Sequence, residues 1–147
     1  MSQSPTIHNT NTSVLQKEAT DLLKKLIAIP SFSKEEDKTA SLLTEFFTNK
    51  NIKVNTLKNN IWVANLHFDA SKPSILLNSH HDTVKPNKGY TNEPFTPIEK
   101  EGKLFGLGAN DAGGCLVSLI ACFLHFYALP NLGYNIIFLA SAEEEIS

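Results

Sequence analysis

Two apolar runs near the carboxy-terminal end constrain the fold most. Gly113-Gly114 opens an unbroken apolar pattern from Leu116 to Leu129, long enough for a buried helix and closed by Pro130. Tyr134 to Ala140 follows as a continuous apolar run of strand length, the pattern expected of a strand covered on both faces. A buried helix feeding a buried strand implies a parallel crossover in a sheet, and so an α/β fold.

The preceding residues fit that frame. Ser13-Val-Leu-Gln16 and Ser33-Lys-Glu-Glu36 each match a capping box, predicting one helix that ends before Pro30 and another that runs to about Lys50. Ile52–Leu57 and Ile61–Leu66 read as strands joined by an Asn59-Asn60 turn, and Ile75–Leu77 as a third strand. The Pro- and Gly-rich stretch from Lys85 to Gly108 suits a long loop or hairpin, of the kind that usually carries function. The expected fold is a mixed, partly parallel sheet flanked by helices, with residues 1–12 a disordered start and residues 13–147 part of one domain.

Composition narrows the function classes. A net charge of -2 without long like-charge runs gives no electrostatic footprint for nucleic acid or an anionic membrane. No apolar run approaches the roughly 20 residues of a membrane span, and Met1 to Thr12 lacks a signal-peptide pattern, so the expected address is cytoplasmic. Cys115 and Cys122 share a helical face two turns apart, too far to bridge, and are expected to be buried free thiols.

Three polar clusters fall at the ends of the predicted buried elements, where open α/β sheets hold their ligands. In Ser79-His80-His81-Asp82-Thr83, an extended backbone puts His80 and Asp82 on one face and His81 on the other. An imidazole backed by a carboxylate suits a metal ligand and its orienting partner, though a histidine with an acidic neighbour is also common on surfaces. Asp111 sits just before the crossover helix among Gly106, Gly108, Gly113 and Gly114. It could simply cap that helix, yet the glycines suggest a backbone that approaches something closely. Glu143-Glu144-Glu145 follows the last strand; these carboxylates repel one another unless solvated or neutralised by a cation. Together the clusters supply nitrogen and hard oxygen donors suited to zinc, and Asp111 is the natural bridge between two ions.

Four ordered motifs resemble one family: Ser79-His80-His81-Asp82-Thr83-Val84, Glu93-Pro94-Phe95-Thr96-Pro97, Gly102 to Asp111, and Ser141-Ala142-Glu143-Glu144-Glu145. They are similar to those of the zinc metallopeptidases and deacylases that include acetylornithine deacetylase, succinyl-diaminopimelate desuccinylase, aminoacylase and carboxypeptidase G. The resemblance implies a zinc-exopeptidase-like catalytic domain, incomplete here, holding two zinc ions, with cobalt as a substitute. It assigns His80 to one zinc, Asp111 to the bridge, Glu145 to the other zinc, Glu144 to the general base and Asp82 to the orientation of His80. A further acidic ligand, a distant histidine and a lid or dimerisation domain are expected beyond Ser147.

Where the family often has Met-Lys-Gly after the bridging aspartate, this chain has Ala112-Gly113-Gly114. That variant looks most like the acetylornithine or succinylornithine deacylase branch and arginine biosynthesis. The implied substrate is a small N-acyl amino acid, and the full-length form is expected to be a homodimer. A dipeptidase or aminopeptidase of the same family, or a truncated metal-binding fragment inactive by itself, are the alternatives.

Overall fold

The computed structural model describes residues 12–146; the expected disordered start lies outside them except for Thr12, which is helical. In chain order the elements are α1 (Thr12–Ile27), α2 (Asp37–Thr48), β1 (Asn55–Leu57), β2 (Asn60–Ala64), β3 (Ser74–His80), β4 (Ile98–Lys100) and β5 (Lys103–Phe105). A helical turn (Ala109–Gly114), α3 (Cys115–Phe126) and β6 (Asn135–Ser141) complete the fold. Strands β1, β2, β6 and β3 form one sheet in that order, antiparallel except for the parallel pair β3 and β6. The chain leaves β3, passes through the β4–β5 hairpin and α3, and returns beside β3 as β6. This is the expected parallel crossover.

Sheet register explains the core. Ile61, Val63, Ile136, Phe138 and Ala140 share one face and are buried against the helices. Phe47 of α2, Phe123 of α3 and Phe138 of β6 meet at its centre with ring centroids 5.7 to 6.3 Å apart. α3 packs on β3 and β6, α2 on β2, and α1 on α3 and the helical turn. Leu22, Leu23, Leu26 and Ile27 supply the buried stripe of α1 at helical spacing.

Several expectations need correction. β6 is covered on one face only: Ile137 and Leu139 on the other are half-buried, and Leu76 beside them on β3 is 57% exposed. The continuous apolar run reports the composition of the strand, not the cover that this chain provides. Cys115 and Cys122 are exposed, because α3 turns Leu116, Val117, Ile120 and Phe123 inward and leaves the cysteine face outward. The helix starts differ from the capping boxes. α1 already includes Ser13, and Glu36 at the start of α2 makes no side-chain bond to the helix. The β1–β2 turn is Lys58-Asn59, one residue earlier than expected, because Leu57 pairs with Asn60. In the long loop, Glu101 and Gly102 both adopt positive φ, the backbone of a tight hairpin turn between β4 and β5.

Among the described residues, Ala109–Phe126 is the one helical stretch long and apolar enough to cross a membrane, with mean hydropathy 1.4. It opens on Asp111 in a kinked turn, and α3 packs its apolar face into the core.

Candidate metal centre

Topology brings the three polar clusters together. β3 and β6 are parallel neighbours, so His80 at the end of one strand pairs with Ser141 at the end of the other. The crossover helix that joins them starts at the same end of the sheet and carries Asp111 in the turn before it. One ligand atom each from His80, Asp111 and Glu145 all lie within 4.8 Å of one another.

The imidazole of His80 has two distinct sides. Nε2 lies 3.2 Å from Asp111 Oδ1 and 3.7 Å from Glu144 Oε2. Nδ1 lies 3.1 Å from the carbonyl oxygen of Asp82 and 3.3 Å from its Oδ1. A proton on Nδ1 would be shared with Asp82, leaving the Nε2 lone pair facing the acidic cluster. Burial alone would lower the pKa of His80, but the contacts with Asp111, Asp82 and Glu144 outweigh it and raise the group above its ordinary value.

Asp82 is fully buried behind this ring. Burial favours its neutral form, yet Ser33 Oγ donates to Oδ2 at 2.6 Å and the backbone N–H of Glu145 donates to it at 2.8 Å, and the carboxyl is held below its usual range. Oδ1 has no well-formed hydrogen bond and points at the ring nitrogen. The next residue faces the other way, as alternation requires. His81 Nδ1 contacts Thr39 Oγ1 at 2.9 Å and its Nε2 contacts the carbonyl oxygen of Asn59 at 3.0 Å. Burial lowers the His81 pKa, so this ring is a neutral tie between α2, the β1–β2 turn and β3 rather than a member of the cluster.

On the acidic side, Asp111 and Glu144 are largely exposed, with 77% and 58% of their side-chain surfaces open. Burial and then repulsion from Asp111 raise the pKa of Glu145. Carboxylates converging on an imidazole Nε2, with the opposite ring nitrogen backed by an aspartate, make a donor set that fits a divalent cation.

Two glycines let Asp111 reach this place. At Gly108 (φ +73) a Cβ would stand 2.6 Å from Thr83 Cγ2; at Gly113 it would stand 2.6 Å from the carbonyl oxygen of Gly108 and from Leu23 Cδ1. The close approach inferred from the glycines is therefore to α1 and to the end of the His80 segment. It seats the helical turn against them and brings Asp111 to His80.

Sequence reasoning missed Ser33, Glu36 and Asn60. Ser33 and Glu36 were absorbed into a capping box and Asn60 into a turn, although each bonds to the ligand-bearing segments.

The fold and this cluster resemble the first part of a metallopeptidase-type hydrolase domain. Residues 76–147 match the profile described as Peptidase family M20/M25/M40. It is 31% identical over 136 residues to succinyl-diaminopimelate desuccinylase of Buchnera aphidicola, covering 87% of this chain and 35% of the relative. It is also 31% identical over 148 residues to acetylornithine deacetylase of Proteus mirabilis, covering 86% and 36%. An M20 family metallo-carboxypeptidase from Sulfolobus solfataricus superposes with a TM-score of 0.68 at 25% identity, covering 88% of this chain and 31% of that one. The chain thus spans about a third of the length of the curated relatives it matches.

Proposed function

We propose that this chain forms the amino-terminal part of the catalytic domain of a zinc-dependent amidohydrolase that removes an acyl group from an N-acyl amino acid. The observation that carries the reading is the convergence of His80, Asp111 and Glu145 within 4.8 Å at the ends of β3 and β6. In this reading His80, Asp111 and Glu145 would hold the metal, Asp111 in the bridging role that the family resemblance implies. When bound, the metal polarises an amide carbonyl and lowers the pKa of water.

The chain's own residues do the rest. Asp82 faces the Nδ1–H of His80 as its acceptor and fixes the tautomer that leaves Nε2 free. Glu144, exposed and adjacent to His80 Nε2, is the general base, accepting a proton at its carboxylate and returning it to the leaving amine. The relatives named desuccinylase and deacetylase support an acylated diamino acid as substrate class. Within it we favour N-acetylornithine or N-succinylornithine, because of Ala112-Gly113-Gly114 after the bridging aspartate.

Peptide-bond hydrolysis is the second reading, favoured by the likeness to a metallo-carboxypeptidase. The test is hydrolysis by the protein that carries this chain, with N-acetylornithine, N-succinylornithine, N-succinyl-diaminopimelate and dipeptides, with and without chelator. Chelator-sensitive release of a free amino acid from one N-acyl substrate is expected. Turnover confined to dipeptides would replace the deacylase with the peptidase, and turnover insensitive to chelator would remove both.

A further inference from the structure

Behind the acidic loop lies a carboxylate that no step above uses. Glu36 is fully buried, and none of the ion pairs among the described residues includes it. Three donors satisfy it instead: the backbone N–H of Lys34 at 2.7 Å and of Glu143 at 3.1 Å on Oε1, and Asn59 Nδ2 at 2.8 Å on Oε2. A buried carboxylate is costly unless such bonds surround it, so this position is built for the charge or for its geometry.

Helix capping does not explain it. Glu36 is the N-cap of α2, yet its side chain makes no capping bond and reaches a residue 107 positions away. The residue it reaches is unusual, for Glu143 holds φ of +59, a backbone conformation that a side chain other than glycine rarely adopts. The neighbouring bonds form a series along one short stretch. Asn60 Oδ1 accepts the N–H of Ala142 at 3.1 Å, Glu36 Oε1 that of Glu143, and Asp82 Oδ2 that of Glu145 at 2.8 Å. Three side chains from three distant segments therefore grip the backbone of the loop that bears Glu144 and Glu145.

We propose that Glu36, assisted by Asn60, is a positioning residue that holds this loop in the conformation directing Glu144 and Glu145 toward His80 and Asp111. It acts through backbone and touches neither metal nor substrate. The proposal rests on the metal-centre reading given above.

The test is titration of the protein that carries this chain with Co2+, followed by calorimetry and by the visible absorption of the bound ion, for wild type and variants whose melting temperatures are measured in parallel. Supporting residues behind a metal ligand typically set affinity by about 10- to 100-fold, so Glu36→Ala is expected to weaken Co2+ binding about tenfold or more and to alter the absorption band. Glu36→Gln keeps an oxygen for Lys34 and Glu143, while Asn59 can turn its amide to match; it is expected to restore most of the affinity. Phe47→Leu, a core change away from the loop, controls for lost stability and is expected to lower the melting temperature without weakening binding.

Wild-type affinity in a folded Glu36→Ala chain would overturn the proposal, as would an equal loss of affinity in Phe47→Leu at a matched melting temperature. If Glu36→Ala does not fold, Asn60→Ala decides: a smaller loss of affinity in a folded chain supports the grip on the loop, and no loss refutes it. If wild type binds no Co2+, or His80→Ala binds it equally well, the metal-centre reading itself fails and the positioning role falls with it.

Discussion

The backbone N–H of Glu145 donates to Asp82 Oδ2 at 2.8 Å, so the carboxylate behind His80 also holds the loop after β6 that carries the opposing acidic side chain. One buried group thereby couples the ends of β3 and β6. Replacing Asp82 by Ala removes the acceptor of both the Glu145 N–H and the Ser33 hydroxyl, two partly buried hydrogen bonds worth about 0.5–1.5 kcal/mol each. Thermal unfolding should record that loss, and Co2+ affinity should fall about 10- to 100-fold as His80 loses its orienting partner. A variant that melts lower but binds metal as tightly as wild type would confine Asp82 to a structural role.

Ser33 stands one step further from the cluster. Its hydroxyl donates to Asp82 Oδ2 at 2.6 Å, the geometry of a charge-assisted hydrogen bond. Ser33→Ala should cost about 1–2 kcal/mol in chemical denaturation. It should also raise the pKa of Asp82, because the hydroxyl is the strongest influence holding that carboxyl down against burial. NMR titration of the Asp82 carboxyl would reveal the change, and an unmoved midpoint would show that the backbone N–H groups suffice.

Gly113 gives a prediction of a different kind, one of shape. A Cβ there would stand 2.6 Å from the Gly108 carbonyl oxygen, and Gly113 N already donates to that oxygen at 2.8 Å. Backbone cannot yield as a flexible side chain does, so Gly113→Ala should push the helical turn away from α1 at about 1–3 kcal/mol. Because Asp111 rides on that turn, metal affinity should fall as well. Gly133, whose added Cβ meets nothing within 4 Å, is the matched control, and Gly133→Ala should leave affinity unchanged.

What was legible in the sequence follows from distance along the chain. His80, Asp111 and the Glu143–Glu145 run stand beside apolar runs whose secondary structure is locally encoded, so a parallel crossover sufficed to bring them to one end of the sheet. The alternation of His80, His81 and Asp82 was likewise readable from strand geometry, and it separates His81 toward Thr39. Ser33 and Glu36 were misread because their partners lie 49 and 107 residues away, and local rules offered a nearer explanation in a capping box. Hydropathy shows that the β6 run is apolar; it does not say which neighbours cover it, and here Leu139 on one face is only half-buried while Phe138 on the other is fully enclosed.

Acid and base act on the cluster in opposite senses. His80 has a folded pKa above its ordinary 6.5, so its contribution to the stability of the metal-free chain is fully present below that value and is lost as pH rises through the raised one. Asp82 has a folded pKa below 3.8, so its contribution is present above that value and is lost as pH falls through the lowered one. With chelator present, these two groups favour greatest stability in the mildly acidic window between them. Metal binding should run the other way across the upper part of that window, since His80 must shed its proton to offer Nε2. Buried His81, whose pKa is lowered, loses stability as pH falls and so opposes His80 in the same range. In thermal unfolding with chelator and in Co2+ titration, each followed from pH 4 to 8, the share of the stability profile that belongs to His80 should therefore diverge from the metal-binding curve as pH rises. His80→Gln should flatten the upper limb of the first curve and abolish the rise in the second. If His80→Gln leaves the stability profile unchanged, the interaction of the imidazole with Asp111 and Asp82 does not contribute to the fold.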